Sequence, residues 1–399
     1  MGRDDVFMAS PHSSTDITYF AETNHRGIRK RFGVKQADRR FHMYVVGKTG
    51  TGKSTLLKTM VLQDVANGRG LALFDPHGDL VSDVLEVLPD NRRADVVYLD
   101  TPRGNWTFNP LSGVEAGQEA LATAELIEVF KKIWTDDWGP RLEHLLRNVL
   151  FTLLEVPGST LADVHRLLTD QDHRKALAKT LRNTEVREYW LREFNWYSPA
   201  FRAVVTAPLQ NKLGALLTDP RVHAIIAAER SSFDLNAVMD NGKILLVNLS
   251  RGQIGEGPAL MLGALLAARI GLAGLARADR PEVKRRDFLL YLDEFQMFAT
   301  LSLATMLAEL RKYRVSLILA NQYLGQLDTA VRDAVMGNVG TLICFRVSAD
   351  DASHIAREMA PVFETVDLIG LPNRHIYLRL MIDGQVSRPF SATTIKIAA

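Results

Sequence analysis

The string Gly47-Lys48-Thr49-Gly50-Thr51-Gly52-Lys53-Ser54 has the spacing G-x-x-x-x-G-K-[ST], suited to holding a chain of phosphates. Glycines let backbone N–H groups converge on anionic oxygens, and a helix opening at the end of the loop adds its positive dipole end. Lys53 would reach the β- and γ-phosphates of a nucleotide, and the Ser54 hydroxyl, with Thr55 beside it, would meet Mg²⁺. Far along the chain, FLLYLDEF places Asp293 and Glu294 directly after five apolar residues. Asp293 would hold Mg²⁺, mostly through water, and Glu294 would orient and deprotonate an attacking water. Gln322, in ANQYLGQL after the apolar run VSLILA, stands where a strand end could sense a γ-phosphate. Arg311, in ELRKYRVS, precedes that strand and so lies at its opposite end. There it is badly placed for its own nucleotide and well placed to enter a neighbour's, stabilising charge on the transferring phosphoryl group. Arg346 in CFRVS is the rival for that role. A guanine reader of the form Asn-Lys-x-Asp is missing, since Asn211-Lys212 continues Leu-Gly. ATP is therefore the expected nucleotide.

These groups need a scaffold that brings distant strand ends together. FHMYVVG, GLALFD and ADVVYLD read as buried strands separated by helices, with the first helix running from about Lys53 to Asn67. Alternation of this kind predicts a parallel sheet with right-handed crossovers. It stops at about Ala116 and resumes at KILLVNL, followed by DFLLYLD, VSLILA and TLICFRV. Residues 116–238 carry only helical spacing, punctuated by Pro140, Pro157, Pro199 and Pro208, and read as an inserted all-α domain. The expected fold is thus an α/β, RecA-like P-loop three-layer sandwich. Its ATPase domain is built from 41–115 and 239–399, and a polar, turn-rich segment precedes it over 1–40. A terminal hairpin is expected around Asp383-Gly384.

Bulk properties narrow the class. With 47% hydrophobic and 24% charged residues in 399, the chain is globular and long enough for two or three domains. Its net charge of +2 gives no global attraction to nucleic acid, so any basic surface must be local. RGIRKR at 26–31 and VKRR at 283–286 are such clusters, each also readable as a solvated face. In the insertion Tyr189, Trp190, Trp196 and Tyr197 interleave with Arg187, Arg192 and Arg202. The set could stack bases or form a helical core. The single cysteine, Cys344, rules out an internal disulfide and reads as buried filler. The apolar stretch Ala259–Ala276 reads as a helix buried against the sheet, so no transmembrane segment is expected and the chain is expected in the cytoplasm.

Taken together, VVGKTGTGKST, LFDPHGDL (Leu73–Leu80), FNPL (Phe108–Leu111), LYLDEF, ANQ and GTLICFRVSADDA resemble the FtsK/HerA class of hexameric DNA motors. Within it the chain is most similar to the soluble motor domain of conjugative, type IV secretion coupling proteins. The resemblance implies an ATP-hydrolysing homo-hexameric ring that moves DNA and docks on a membrane-embedded secretion or conjugation complex, peripheral to the inner membrane. It also implies an all-α insertion, an arginine finger at Arg311, and a place near the phosphates for the Asp75-Pro76-His77-Gly78-Asp79 loop, whose chemical role it leaves open. Three other readings stand beside it. One is a secretion-assembly ATPase acting on protein, another a HerA-type helicase, for which forty or so N-terminal residues are too few to make the expected β-barrel. The third is a nucleotide-gated adaptor, against which an intact Asp293-Glu294 pair argues.

Overall fold

The computed structural model describes residues 17–24, 29–134 and 138–396. Short runs of branched and aromatic residues form the strands β1 (Ile17–Thr23), β2 (Arg31–Lys35), β3 (Met43–Val46), β4 (Gly70–Asp75), β5 (Val96–Asp100) and β6 (Ile244–Asn248). After them come β7 (Phe288–Leu292), β8 (Val315–Asn321), β9 (Thr341–Cys344), β10 (His375–Arg379), β11 (Met381–Ile382), β12 (Gln385–Val386) and β13 (Phe390–Thr394). Eleven strands make one sheet in the order β2-β1-β13-β10-β9-β3-β8-β7-β4-β6-β5. From β9 to β5 all pairings are parallel, and from β9 outward to β2 all are antiparallel. β11 and β12 form a separate hairpin that turns at Asp383 and Gly384, both at positive φ.

Side chains alternate across the strands and feed two cores, making three layers. Met43 and Val45, with Leu71, Leu73 and Tyr291, face the phosphate-loop helix Lys53–Ala66 and the helix Asp79–Glu86. Tyr44 and Val46, with Phe74, Leu290 and Leu319, face the helices Glu256–Leu275 and Leu301–Leu310. Among the described residues between β5 and β6 there is no strand. This helical block continues the second core without a break, from Leu126 and Phe130 out to Trp190 and Phe194. Glu256–Asp279 is long and apolar enough to cross a membrane, but most of it is buried in this core.

One expectation is corrected here. The segment 1–40 reads as polar and turn-rich, yet β1 and β2 within it extend the main sheet. Their sequences hide it because β2 lies at an edge with only Val34 fully buried, while β1 carries Thr18 and Glu22 among its apolar residues. Gly33 is required there: a Cβ would sit 2.0 Å from the Thr18 carbonyl oxygen, beside a register shift in β1. Behind β1 lies a buried ionic cluster in which Asp64 accepts from Arg39 at 2.6 Å and from Arg69 at 2.7 Å, and Tyr291 donates to the same carboxylate.

Candidate functional site

Strand order decides which side chains meet. All parallel strands deliver their carboxyl ends to one edge, the usual ligand side of such sheets. β3, which leads into the phosphate loop, lies between β8 and β9, and β8 alone separates it from β7. The end of β8 must therefore fall between the loop and the Asp293-Glu294 pair.

The loop is moored to both neighbours, Gly47 N–H to the Asn321 carbonyl at 3.4 Å and Lys48 N–H to the Arg346 carbonyl at 2.8 Å. Gly50 and Gly52 adopt φ of 76° and 120°, a region that a side chain would strain. Thr51 is buried, with its hydroxyl on the Lys48 carbonyl at 2.7 Å. The helix Lys53–Ala66 then opens with Lys53 buried and donating to the carbonyls of Gly47 and Lys48. Burial lowers the Lys53 pKa, opposed by the charges of Glu294 and Asp293. Ser54 is exposed, and its hydroxyl lies 3.4 Å from Asp293 Oδ2.

Asp293 and Glu294 are both buried, at 5% and 6% exposure, so their mutual repulsion is little screened. Burial, then Glu294 and then Asp75, push the Asp293 pKa up to about 6. That is an acidic site short of positive charge, as a divalent-cation site should be. Glu294 sits at φ 50°, a turn that aims its carboxylate back across the sheet edge. Gln322 Nε2 donates to Glu294 Oε1 at 2.7 Å, and Gln322 Oε1 accepts from Thr49 Oγ1 at 2.9 Å. One amide thus joins the phosphate loop to the acidic pair. Gln296 Nε2 holds the other Glu294 oxygen at 2.6 Å.

The Asp75-Pro76-His77-Gly78-Asp79 loop closes the other side. Asp75 accepts from the N–H groups of His77 at 2.8 Å and Val81 at 3.0 Å, which fixes the turn and caps the following helix. Gly78 has φ 92°, and a Cβ there would lie 2.5 Å from Ser250 Oγ. His77 is left partly exposed, its Nε2 3.9 Å from Glu294 Oε1. A cavity of about 260 Å³ opens here, lined by Ser54, Thr55, Lys58, His77, Asp79 and Asp293 among others.

Arg311 does not join this group. It follows the helix Leu301–Leu310, at the amino end of β8, with its guanidinium 3.5 Å from the centre of the Phe41 ring. Arg346 does lie at the site edge, its side chain on Asn373 Oδ1 at 3.1 Å. Sequence reasoning missed Arg374, whose N–H donates to the Thr51 carbonyl at 2.9 Å and whose side chain lies beside Gly52. No local pattern marks it; only the pairing of β10 with β9 brings it there. In the helical block Trp190 and Tyr189 are core, with Trp190 Nε1 donating to Thr152 at 2.7 Å, whereas Trp196 is 77% exposed.

The profile of the type IV secretion-system coupling protein DNA-binding domain family matches residues 33–363, and the chain belongs to that family. No functionally curated protein matches it in sequence. Among solved structures it is similar to the plasmid coupling protein TrwB in complex with ADP and Mg²⁺, at 14% identity and TM-score 0.62, covering 97% of both chains. The TrwB complex with the non-hydrolysable GTP analogue GDPNP gives 14% identity and TM-score 0.63, over 98% of this chain and 97% of that one. VirB4 of Thermoanaerobacter pseudethanolicus gives 17% identity and TM-score 0.62, over 98% of both. At such identities these likenesses establish the RecA-like fold with its helical block, and nothing finer.

Proposed function

We propose that the protein is an ATP-hydrolysing ring motor that binds and translocates DNA, as in conjugative transfer and type IV secretion coupling. The observation that carries the proposal is the Thr49–Gln322–Glu294 chain of hydrogen bonds, which ties a phosphate-binding loop to a base. The residues fit ATP and Mg²⁺: a positive-φ glycine loop opens a helix, and an acidic site short of positive charge faces the Ser54 hydroxyl. The loop that begins at Gly47 would bind the phosphates through its backbone N–H groups from Thr49 to Thr55 and the Lys53 ammonium, and Ser54 and Asp293 would hold Mg²⁺. Bound there, Mg²⁺ supplies charge neutralisation at the phosphate oxygens. Glu294 takes the proton of the attacking water, and Gln322 reports the γ-phosphate by exchanging its bond to Thr49.

Arg311 acts on a neighbouring subunit's nucleotide in a homo-hexamer, and the helical block over 116–238 meets cargo or partner. Docking on a membrane-embedded complex fits the same reading. Family membership favours DNA as the load over protein; the fold likeness to TrwB and VirB4 is equal and does not choose. The DNA surface needs a local basic patch, and VKRR is a poor one, because Arg285 already donates to the carbonyls of Arg280, Lys312 and Ala278. Residues 26–28 of RGIRKR lie outside the described residues, while Arg29 pairs loosely with Glu22 at 3.6 Å.

The deciding measurement is ATPase rate with and without single- and double-stranded DNA, over a salt series. Stimulation that falls steeply with salt is expected, because phosphate contacts release counterions. An assembled ring whose rate ignores both forms of DNA at low salt would leave protein as the better load.

A further inference from the structure

At the root of the helical block lies a cavity of about 320 Å³, and none of its lining residues belongs to the phosphate loop, β7 or β8. Its walls come from 108–122, where the chain enters the block, from 230–236, where it leaves, and from the helix Glu256–Leu275. That volume is at the lower end of the range for small-molecule sites.

The unusual wall residue is Arg269. Its Nη2 donates to the Ser112 carbonyl at 2.6 Å, and among the described residues no carboxylate pairs with it. Burial alone lowers its pKa, to about 10, with no opposing charge. A guanidinium offers five N–H donors in a planar fork that matches a carboxylate. Here the structure engages one nitrogen and leaves an uncompensated cation on a cavity wall. Opposite in character are Phe108 and Phe233, which stack at 16° with centroids 6.1 Å apart. Leu272 and Ala273 continue the apolar lining.

We propose that this cavity binds a carboxylate that carries an aromatic ring close by, with its carboxylate on Arg269 and its ring against the apolar lining. A dianion such as phosphate suits it less. The other charged lining residues are Arg230, Glu115 and Asp234, so the walls carry no surplus of positive charge. Asp234 is moreover occupied by the N–H groups of Asn236 and Ala237. The carboxylate could belong to a free small molecule or to the C-terminal aromatic residue of a polypeptide, since both present the same group. Either would bridge the two crossings of the chain into and out of the block, and so hold the block to the sheet.

The test is saturation-transfer NMR of the full chain with phenylacetate, its neutral isostere phenylacetamide, and a tetrapeptide ending in phenylalanine with a free carboxylate, with inorganic phosphate, which has no carbon-bound proton to observe, added as a competitor. Saturable binding of phenylacetate, the tetrapeptide or both is expected, with at least tenfold weaker binding to Arg269→Gln. Phenylacetamide should bind at least tenfold more weakly than phenylacetate. Preference for phenylacetate assigns a small molecule, and preference for the tetrapeptide a chain terminus. Should circular dichroism show that Arg269→Gln is unfolded, Ala273→Phe narrows the cavity while keeping the guanidinium, and binding should be lost. The proposal is overturned if neither carboxylate saturates the wild type, if the folded variant binds like wild type, if phenylacetamide binds as well as the carboxylates, or if phosphate at equal concentration displaces them.

Discussion

Glu294 is held by two amide side chains, Gln296 and Gln322, one on each carboxylate oxygen. A base fixed in this way loses little geometry when its charge is removed, so Glu294→Gln should keep nucleotide and stop turnover. A loss of roughly a hundredfold or more in kcat is expected, the usual contribution of a positioned base. Fluorescent-nucleotide binding and phosphate release measure the two halves; near-native hydrolysis would mean that another group is the base. Gln322→Ala should cost less and should not weaken ADP binding, since it contacts only the Thr49 side chain of the loop. His42 makes a second residue-scale prediction. It is buried, its Nδ1 accepts from Leu317 N–H at 3.0 Å, and so its Nε2 carries the proton to the Leu307 carbonyl at 2.7 Å. Burial lowers its pKa from 6.5 to about 4. The unfolded chain takes up a proton below pH 6.5 and the folded chain does not, so stability is full above 6.5 and declines as pH falls towards 4. At about 1.4 kcal/mol per unit the group removes roughly 3 kcal/mol across that window. His42→Asn, which tolerates the left-handed backbone at this position, should flatten that part of the pH dependence in urea titrations. An unchanged slope would show that the ring is not the group responsible.

At the scale of elements, the cluster of Arg39, Asp64 and Arg69 clamps β1 and the phosphate-loop helix to β7 through Thr18 and Tyr291. Two guanidiniums share one carboxylate with no water-exposed surface, so breaking the pair is costly. Asp64→Asn should destabilise by about 3–5 kcal/mol, because it leaves both cations uncompensated. An unfolding free energy from chemical denaturation lowered by less than about 1 kcal/mol would show that the cluster relaxes or is hydrated. This clamp was invisible in the sequence. Asp64 lies on a helix that reads only as the continuation of a nucleotide loop, and no local pattern sets Arg39 or Arg69 apart from the chain's other arginines. Strand β1 was illegible for a related reason: it pairs with β13, Ala21 opposite Thr394, and no local pattern announces so distant a partner. What could be read was local. The loop from Gly47 to Ser54 and the acids at the end of FLLYL declare themselves within a few residues, by type and by flanking apolar runs. The place of Gln322 was readable only as a strand end; its two bonds follow from β8 lying between β3 and β7. The aromatics of the insertion divide, Trp190 into the core and Trp196 out of it, which helical spacing alone could not decide.

For the whole molecule, the sheet has two chemically different ends. Arg311 lies with Arg40, Lys312 and Arg314 around a cavity of about 570 Å³ at the amino ends of β3 and β8, far from its own phosphate loop. Its guanidinium carbon lies 3.5 Å from the centre of the Phe41 ring, a contact worth about 0.5–1 kcal/mol at an exposed site. If it completes a neighbour's site, neither Arg311→Ala nor Lys53→Ala alone should hydrolyse ATP, while a mixture should recover part of the activity. The recovery arises because mixed rings contain some sites with both residues intact. Turnover by a demonstrated monomer, independent of protein concentration, would return Arg311 to the status of a surface residue.

The position of β3 inside the sheet also sets a schedule for the molecule's birth. Its two neighbours, β8 and β9, are both late in the chain, with Met43 opposite Ile318 on one side and Thr341 on the other. Synthesis runs from the amino terminus, and buried strands without partners stay unformed. The strand that carries the phosphate loop leaves the ribosome well before either neighbour and must wait for both to find its place. Nascent chains stalled before Val315 should therefore fail to retain a fluorescent ATP analogue that the released chain retains; capture by the stalled chain would refute the schedule. A nucleotide site that closes in this order cannot hold its ligand while the chain is still being built.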